Sequence, residues 1–187
     1  MIINKNIIFI HIMKNAGASI EHFFKWKGEN RHFSNREYID HFGNEYNKYF
    51  TFSTIRNPWD RMVSMYFFGK QKEKHFVRGF DSFNKWIQYF LSGSLKEKRH
   101  WSQFDWLKDH NNEINIDFIC RFETLGKDWE TLCEIAGIKY KKLPFINKTI
   151  GKKKNYRKYY NNRSKELVAQ TYREDIETFG YTFEGVK

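Results

Sequence analysis

Proline and cysteine are scarce: two of each occur in 187 residues, and no segment is repeated or of low complexity. So little proline excludes a Pro-rich linker. Cys120 and Cys133 form no C-x-x-C pair and fall in segments patterned as a strand and a helix. They read as reduced core residues and not as a disulfide framework or a redox pair. Long hydrophobic runs are also missing. The stretch Met1–Phe9 holds one lysine and an apolar run of about four residues, far below a secretory or membrane segment. The chain therefore reads as soluble, with no membrane span, made in a reducing compartment. Its length suits one domain, residues 1–187, able to bury about 70% of its unfolded surface without staples. With 19% aromatic and 40% hydrophobic residues it is neither a disordered tail nor a coiled coil.

Acidic residues are absent from 139–165, where eleven Lys or Arg stand. The other 22 basic residues are matched by 22 acidic ones, so the net charge of +11 comes from this segment alone. Such a segment suits phosphate or sulfate groups. By itself it does not separate nucleic acid from a small polyanionic cofactor or an acidic sugar.

The rest of the pattern alternates. Residues 7–12 form a continuous apolar run that predicts a doubly buried strand, then a tight turn at Lys14-Asn15-Ala16-Gly17 and a helix over 17–27. Residues 49–55 predict a second strand, ended by Arg56-Asn57-Pro58. Asn57 suits an N-cap and Pro58 the first position of a helix over 58–68. Further helices are expected near 80–91, 101–110 and 127–136, and a third strand over 116–121. A final amphipathic helix should open at Ser164 and stop at Gly180. Strands alternating with helices give an α/β fold with a small, mainly parallel central sheet flanked by helices. Ligands of such sheets sit at the carboxyl ends of strands, where this chain places Lys14 and Arg56.

Two turns carry the chemistry. In the first, Lys14-Asn15-Ala16-Gly17-Ala18-Ser19, glycine lets backbone N–H groups approach an anion, Lys14 adds a charge and Ser19 a hydroxyl. It is not a Walker loop, because the lysine precedes the glycine. The second is Arg56-Asn57-Pro58-Trp59-Asp60-Arg61-Met62-Val63-Ser64. Together they resemble the carbohydrate-type sulfotransferases that use PAPS (3′-phosphoadenosine 5′-phosphosulfate), whose turns read roughly PKTAGTS and RNPxxRxxS. The resemblance continues through Cys120-Arg121-Phe122-Glu123 and the closing Tyr159-Tyr160, Val168, Tyr172, Asp175 and Phe179–Phe183. Met13 departs from the family's proline, and Asn15 and Ala18 from its threonines. Asn15 retains a side-chain donor, whereas Ala18 loses one hydroxyl.

The resemblance implies a P-loop-like three-layer fold and transfer of a sulfuryl group to a sugar hydroxyl, with no nucleic acid as partner. The basic surface suits an acidic glycan. It implies that residues 14–19 (Lys14, Asn15, Ala16, Gly17, Ala18, Ser19) hold the 5′-phosphosulfate, with Lys14 as catalytic cation. Arg56 and Ser64 would bind the 3′-phosphate, and Lys152, Lys153, Lys154 and Arg157 would close over that phosphate or the adenine. No metal is needed, since these cations neutralise the donor, and no ligand cluster is visible in the sequence. The base falls among His32, His100 and a carboxylate such as Glu123, with His32 the first choice. Trp101, Trp106 and Tyr66 are candidates to stack on sugar rings. The family's animal members are Golgi-anchored; without an anchor, a cytoplasmic enzyme of bacterial or viral type is expected. The alternatives are a kinase of P-loop type, which should carry a Walker loop and an acidic metal-holding strand end, and a basic nucleic-acid-binding module.

Overall fold

The computed structural model describes residues 2–4, 6–28, 32–92, 101–146, 151 and 155–186. Along the chain the strands are β1 (Ile2–Asn4), β2 (Ile7–Ile10), β3 (Phe50–Ile55), β4 (Phe118–Arg121), β5 (Tyr181–Thr182) and β6 (Gly185–Val186). The helices are α1 (Gly17–Phe23), α2 (Asn35–Phe42), α3 (Pro58–Gln71), α4 (Phe83–Ser92), α5 (Gln103–Leu107), α6 (Leu125–Ile135), α7 (Asn162–Thr171) and α8 (Arg173–Phe179). They fall into two compact units: Met1–Arg56 with Gln103–Asn147, and Asn57–Ser102 with Lys148–Lys187.

The first unit is an α/β arrangement around a sheet ordered β1-β2-β3-β4, flanked by helices, as the alternation of patterns predicts. β2, β3 and β4 are parallel, with Ile7 opposite Phe50 and Phe52 opposite Phe118. β1, which the sequence reading misses, adds to β2 antiparallel. Every residue of β2 is buried, which is why the run is apolar without alternation. Phe9, Ile20, Phe52, Trp129 and Leu132 share one core with both cysteines. Cys120 and Cys133 are free thiols there, and burial pushes the Cys120 thiol up to about 12. Because the three parallel strands run the same way, His11, Arg56 and Phe122 lie at one edge of the sheet, just past their carboxyl ends.

Several elements are shorter than their patterns. β2 stops at Ile10, four residues before the chain turns left-handed at Lys14, and α1 stops at Phe23, with Lys25 at φ 51°. Of the helix expected over 101–110 only α5 forms. α2 is also missed, although Ser34 and Glu37 spell its capping box: the Ser34 hydroxyl and N–H engage Glu37, and the Glu37 N–H returns to Ser34. Ser34→Ala should cost about 1 kcal/mol. Thermal unfolding should therefore start about 2–4 °C lower.

In the second unit Asn57 caps α3 from its side chain, Pro58 takes the first helical position, and the Asn57 amide donates to the Thr182 carbonyl at 2.8 Å. The expected single closing helix is two. α7 is capped by Asn161, and Ser164, placed at the start by the sequence reading, is instead the third helical residue. Its N–H bonds the Asn161 side chain and its hydroxyl donates to Asn84 Oδ1 at 2.6 Å. The chain leaves helical geometry at Tyr172, and α8 ends on Gly180 in the left-handed conformation that glycine tolerates best. Among the described residues no helix is long and apolar enough to cross a membrane.

Candidate functional site

The turn after β2 is built against its own backbone preferences. Lys14 and Ala16 stand at φ 72° and 67°, and each costs about 1–2 kcal/mol because its Cβ crowds the next carbonyl. Left-handed residues at alternate positions turn successive N–H groups towards one side, the geometry of an anion-binding nest. Ala16 is the N-cap of α1 and offers no side-chain cap to its first turn.

Asn15 holds this strained turn in place. It is fully buried and its Nδ2 donates to the Thr54 carbonyl at 2.8 Å and to Gln103 Oε1 at 2.6 Å. The Thr54 hydroxyl donates back to the Asn15 carbonyl. Both amide hydrogens are thus engaged in fastening the turn to β3 and α5, so any contact from Asn15 to an anion falls to its backbone N–H. Gly17 has its own reason: a Cβ there would stand 1.8 Å from His11 Nε2. Ser19 lies in the first turn of α1, and its hydroxyl accepts from the Ile146 N–H at 3.5 Å.

Arg56 stands just past the end of β3 and is 5% exposed. Its guanidinium lies 3.8 Å over the Phe122 ring and donates to the Lys14 carbonyl at 3.0 Å. Gln103 brackets its backbone: the Arg56 N–H donates to Oε1 and Nε2 donates to the Arg56 carbonyl, both at 2.8 Å. One buried amide therefore ties the two strand-end turns to each other. Sequence reasoning misses Gln103 because an uncharged side chain gives no signal in a charge-led reading.

His32 is half-buried near the same edge. Its Nδ1 lies 3.1 Å from the His11 carbonyl, which can only accept, so Nδ1 carries the hydrogen and the basic lone pair is on Nε2. Its ring sits 4.5 Å from the His11 ring and 6.3 Å from Trp106. Burial lowers its pKa below the ordinary histidine value, and the nearby His11 charge lowers it further. The shift favours the neutral imidazole, the form able to accept a proton.

The structure brings together Lys14, Asn15, Ala16, Gly17, Ala18, Ser19, Arg56 and His32, all in the first unit. Ser64 belongs to the second unit, buried on the second turn of α3. Arg157, also in the second unit, is engaged by the Glu184 side chain and by Asn155 Oδ1. Trp106 and Tyr66 are core residues, 0% and 5% exposed, and offer no ring face to a sugar; abundant aromatics fill the interior first. His100, Lys152, Lys153 and Lys154 lie outside the described residues. Among the described residues no group of three or more His, Cys, Asp or Glu is placed to hold a metal.

A sequence model described as the sulfotransferase family matches residues 4–182, nearly the whole chain. Comparison with curated proteins and with solved structures returned no match.

Proposed function

The chain belongs to the sulfotransferase family, and we propose that it moves a sulfuryl group from PAPS to a hydroxyl of a carbohydrate acceptor. The observation that carries this reading is the 3.0 Å contact from the Arg56 guanidinium to the Lys14 carbonyl. It sets two cations and a left-handed turn at the carboxyl edge of adjacent parallel strands, where a doubly anionic nucleotide would be held by both.

In the reaction the acceptor oxygen attacks sulfur in line with the bond to the 5′-phosphate. That S–O bond breaks, its electron pair stays on the phosphate oxygen, and 3′-phosphoadenosine 5′-phosphate leaves. Lys14 opposes the charge growing on that oxygen. His32 Nε2 takes the acceptor's proton and later gives it to solvent. Arg56 offers its fork to the 3′-phosphate. The basic stretch 139–165 favours an acceptor that is itself acidic. Two free core thiols suit a cytoplasmic setting.

Ligand-induced stabilisation tests the reading. At a hundred times its Kd, 3′-phosphoadenosine 5′-phosphate should add about 2.7 kcal/mol. For a chain of this size the melting temperature should rise by about 5–10 °C. Arg56→Ala should lose most of that rise. A larger rise with ATP, the kinase reading, or with duplex DNA, the nucleic-acid reading, would overturn the assignment.

A further inference from the structure

Glu21, His11 and His32 form a cluster of three titratable side chains within the first unit, and only His32 has a part in the transfer as proposed. His11 Nδ1 lies 2.9 Å from Glu21 Oε1. A carboxylate accepts, so Nδ1 carries a hydrogen and any further proton of His11 sits on Nε2. That nitrogen is the atom that fills the space beside Gly17, where a Cβ would stand 1.8 Å away. The ring is confined on its other sides as well: it stacks on Phe9 at 5.4 Å, and the His32 ring lies 4.5 Å from it. The His11 carbonyl receives the Nδ1 hydrogen of His32. Glu21 stands on α1, one turn after Gly17, so the carboxylate that orients His11 is fixed to the helix that begins at the donor turn.

We infer that His11, oriented by Glu21, is a positioning residue for the transfer: it fixes the ring of His32 relative to the turn that carries Lys14. The inference rests on His32 being the base. A merely space-filling residue would need none of this chemistry. The His11 side chain is 13% exposed and the Glu21 side chain 19%, and removing an imidazole and a carboxylate from water is costly where a phenyl ring would fill the same volume. The electrostatics agree with the geometry. Glu21 is held below the ordinary carboxylate range chiefly by its hydrogen bond from His11, against the opposing effect of burial. His32 is lowered first by burial and then by the His11 charge, while its bond to the His11 carbonyl and the charge of Glu21 act the other way.

The test uses the full chain with two readouts that need no identified acceptor. Imidazole nitrogen NMR follows the tautomer and titration of each ring. Labelled PAPS with water as acceptor gives the turnover and its pH profile. In His11→Phe, which keeps a ring against Phe9 and Gly17, His32 should titrate at higher pH than in the wild type. The acid limb of turnover should rise with it, and kcat should fall about ten-fold or more, since a base displaced by a fraction of an ångström loses alignment. Binding of 3′-phosphoadenosine 5′-phosphate should stay within about two-fold, because no donor contact is removed. Glu21→Gln, of nearly the same volume, is the second variant. It should release His11 from its single Nδ1–H form and lower kcat while leaving donor KM unchanged. A His32 titration that does not move in His11→Phe, or a His11 tautomer that does not change in Glu21→Gln, overturns the inference. A wild-type acid limb that ignores the His32 titration removes the base itself, and the inference with it. A limb that follows His32 but stays in place in His11→Phe overturns the positioning role alone.

Discussion

Lys14→Ala should lower the rate of sulfuryl transfer by about 10²–10³-fold while weakening nucleotide binding much less. On the proposed reading the ground-state donor is already anionic and its charge would be met by Arg56 and the turn as well, so one lysine would be a modest part of its affinity. In the transition state charge grows on the bridging oxygen, and a cation set beside it contributes mainly there. Removing one such group from a preorganised site costs about 2.7–4 kcal/mol of barrier. The strained backbone at Lys14 fits this assignment, since left-handed geometry at a non-glycine residue persists only where the surroundings enforce it. Single-turnover rates on labelled PAPS, set beside the Kd for 3′-phosphoadenosine 5′-phosphate, check the result. Equal losses in rate and binding would assign Lys14 to donor binding alone.

Gln103→Leu should have the largest effect on stability among single substitutions at this edge. Gln103 accepts from Asn15 Nδ2 and from the Arg56 N–H and donates to the Arg56 carbonyl, all buried. Leucine fills a similar volume and satisfies none of them, and each orphaned buried group costs about 1–3 kcal/mol. Sharing and relaxation reduce the sum, so a loss of about 3–5 kcal/mol is expected, visible as a melting temperature lower by about 6–20 °C. The variant should also bind 3′-phosphoadenosine 5′-phosphate more weakly, because the turn at Asn15 loses its fastening to the end of β3. A melting temperature within about 2 °C of wild type would show that the two turns hold themselves without Gln103.

Much of this site was legible in the sequence, and the reason is local. Lys14, Gly17 and Arg56 follow apolar runs directly, so the strand pattern and the cation at its end are read in one short window. Asn57 and Pro58 announce a helix start by their own backbone chemistry, which tertiary packing did not change. What stayed hidden depends on long-range placement. Gln103 matters because two remote turns meet it. The Asn15 side chain looked like a donor for the nucleotide but is spent on Thr54 and Gln103. His11 reads as a residue packed within a strand, and only the fold reveals that its ring occupies the missing Cβ of Gly17 and pairs with Glu21. Trp106 was a candidate sugar platform on composition alone, and packing claimed it for the interior.

The amide of Gln103 joins residues 47 and 88 positions away along the chain, which has a consequence for how the protein comes into being. Closing loops of that length is slow, and contacts between distant stretches form late in the search for the native state. During synthesis the two strand-end turns emerge long before the glutamine that clasps them. The nascent polypeptide should therefore stay unable to fasten the two turns to each other until Gln103 has been synthesised.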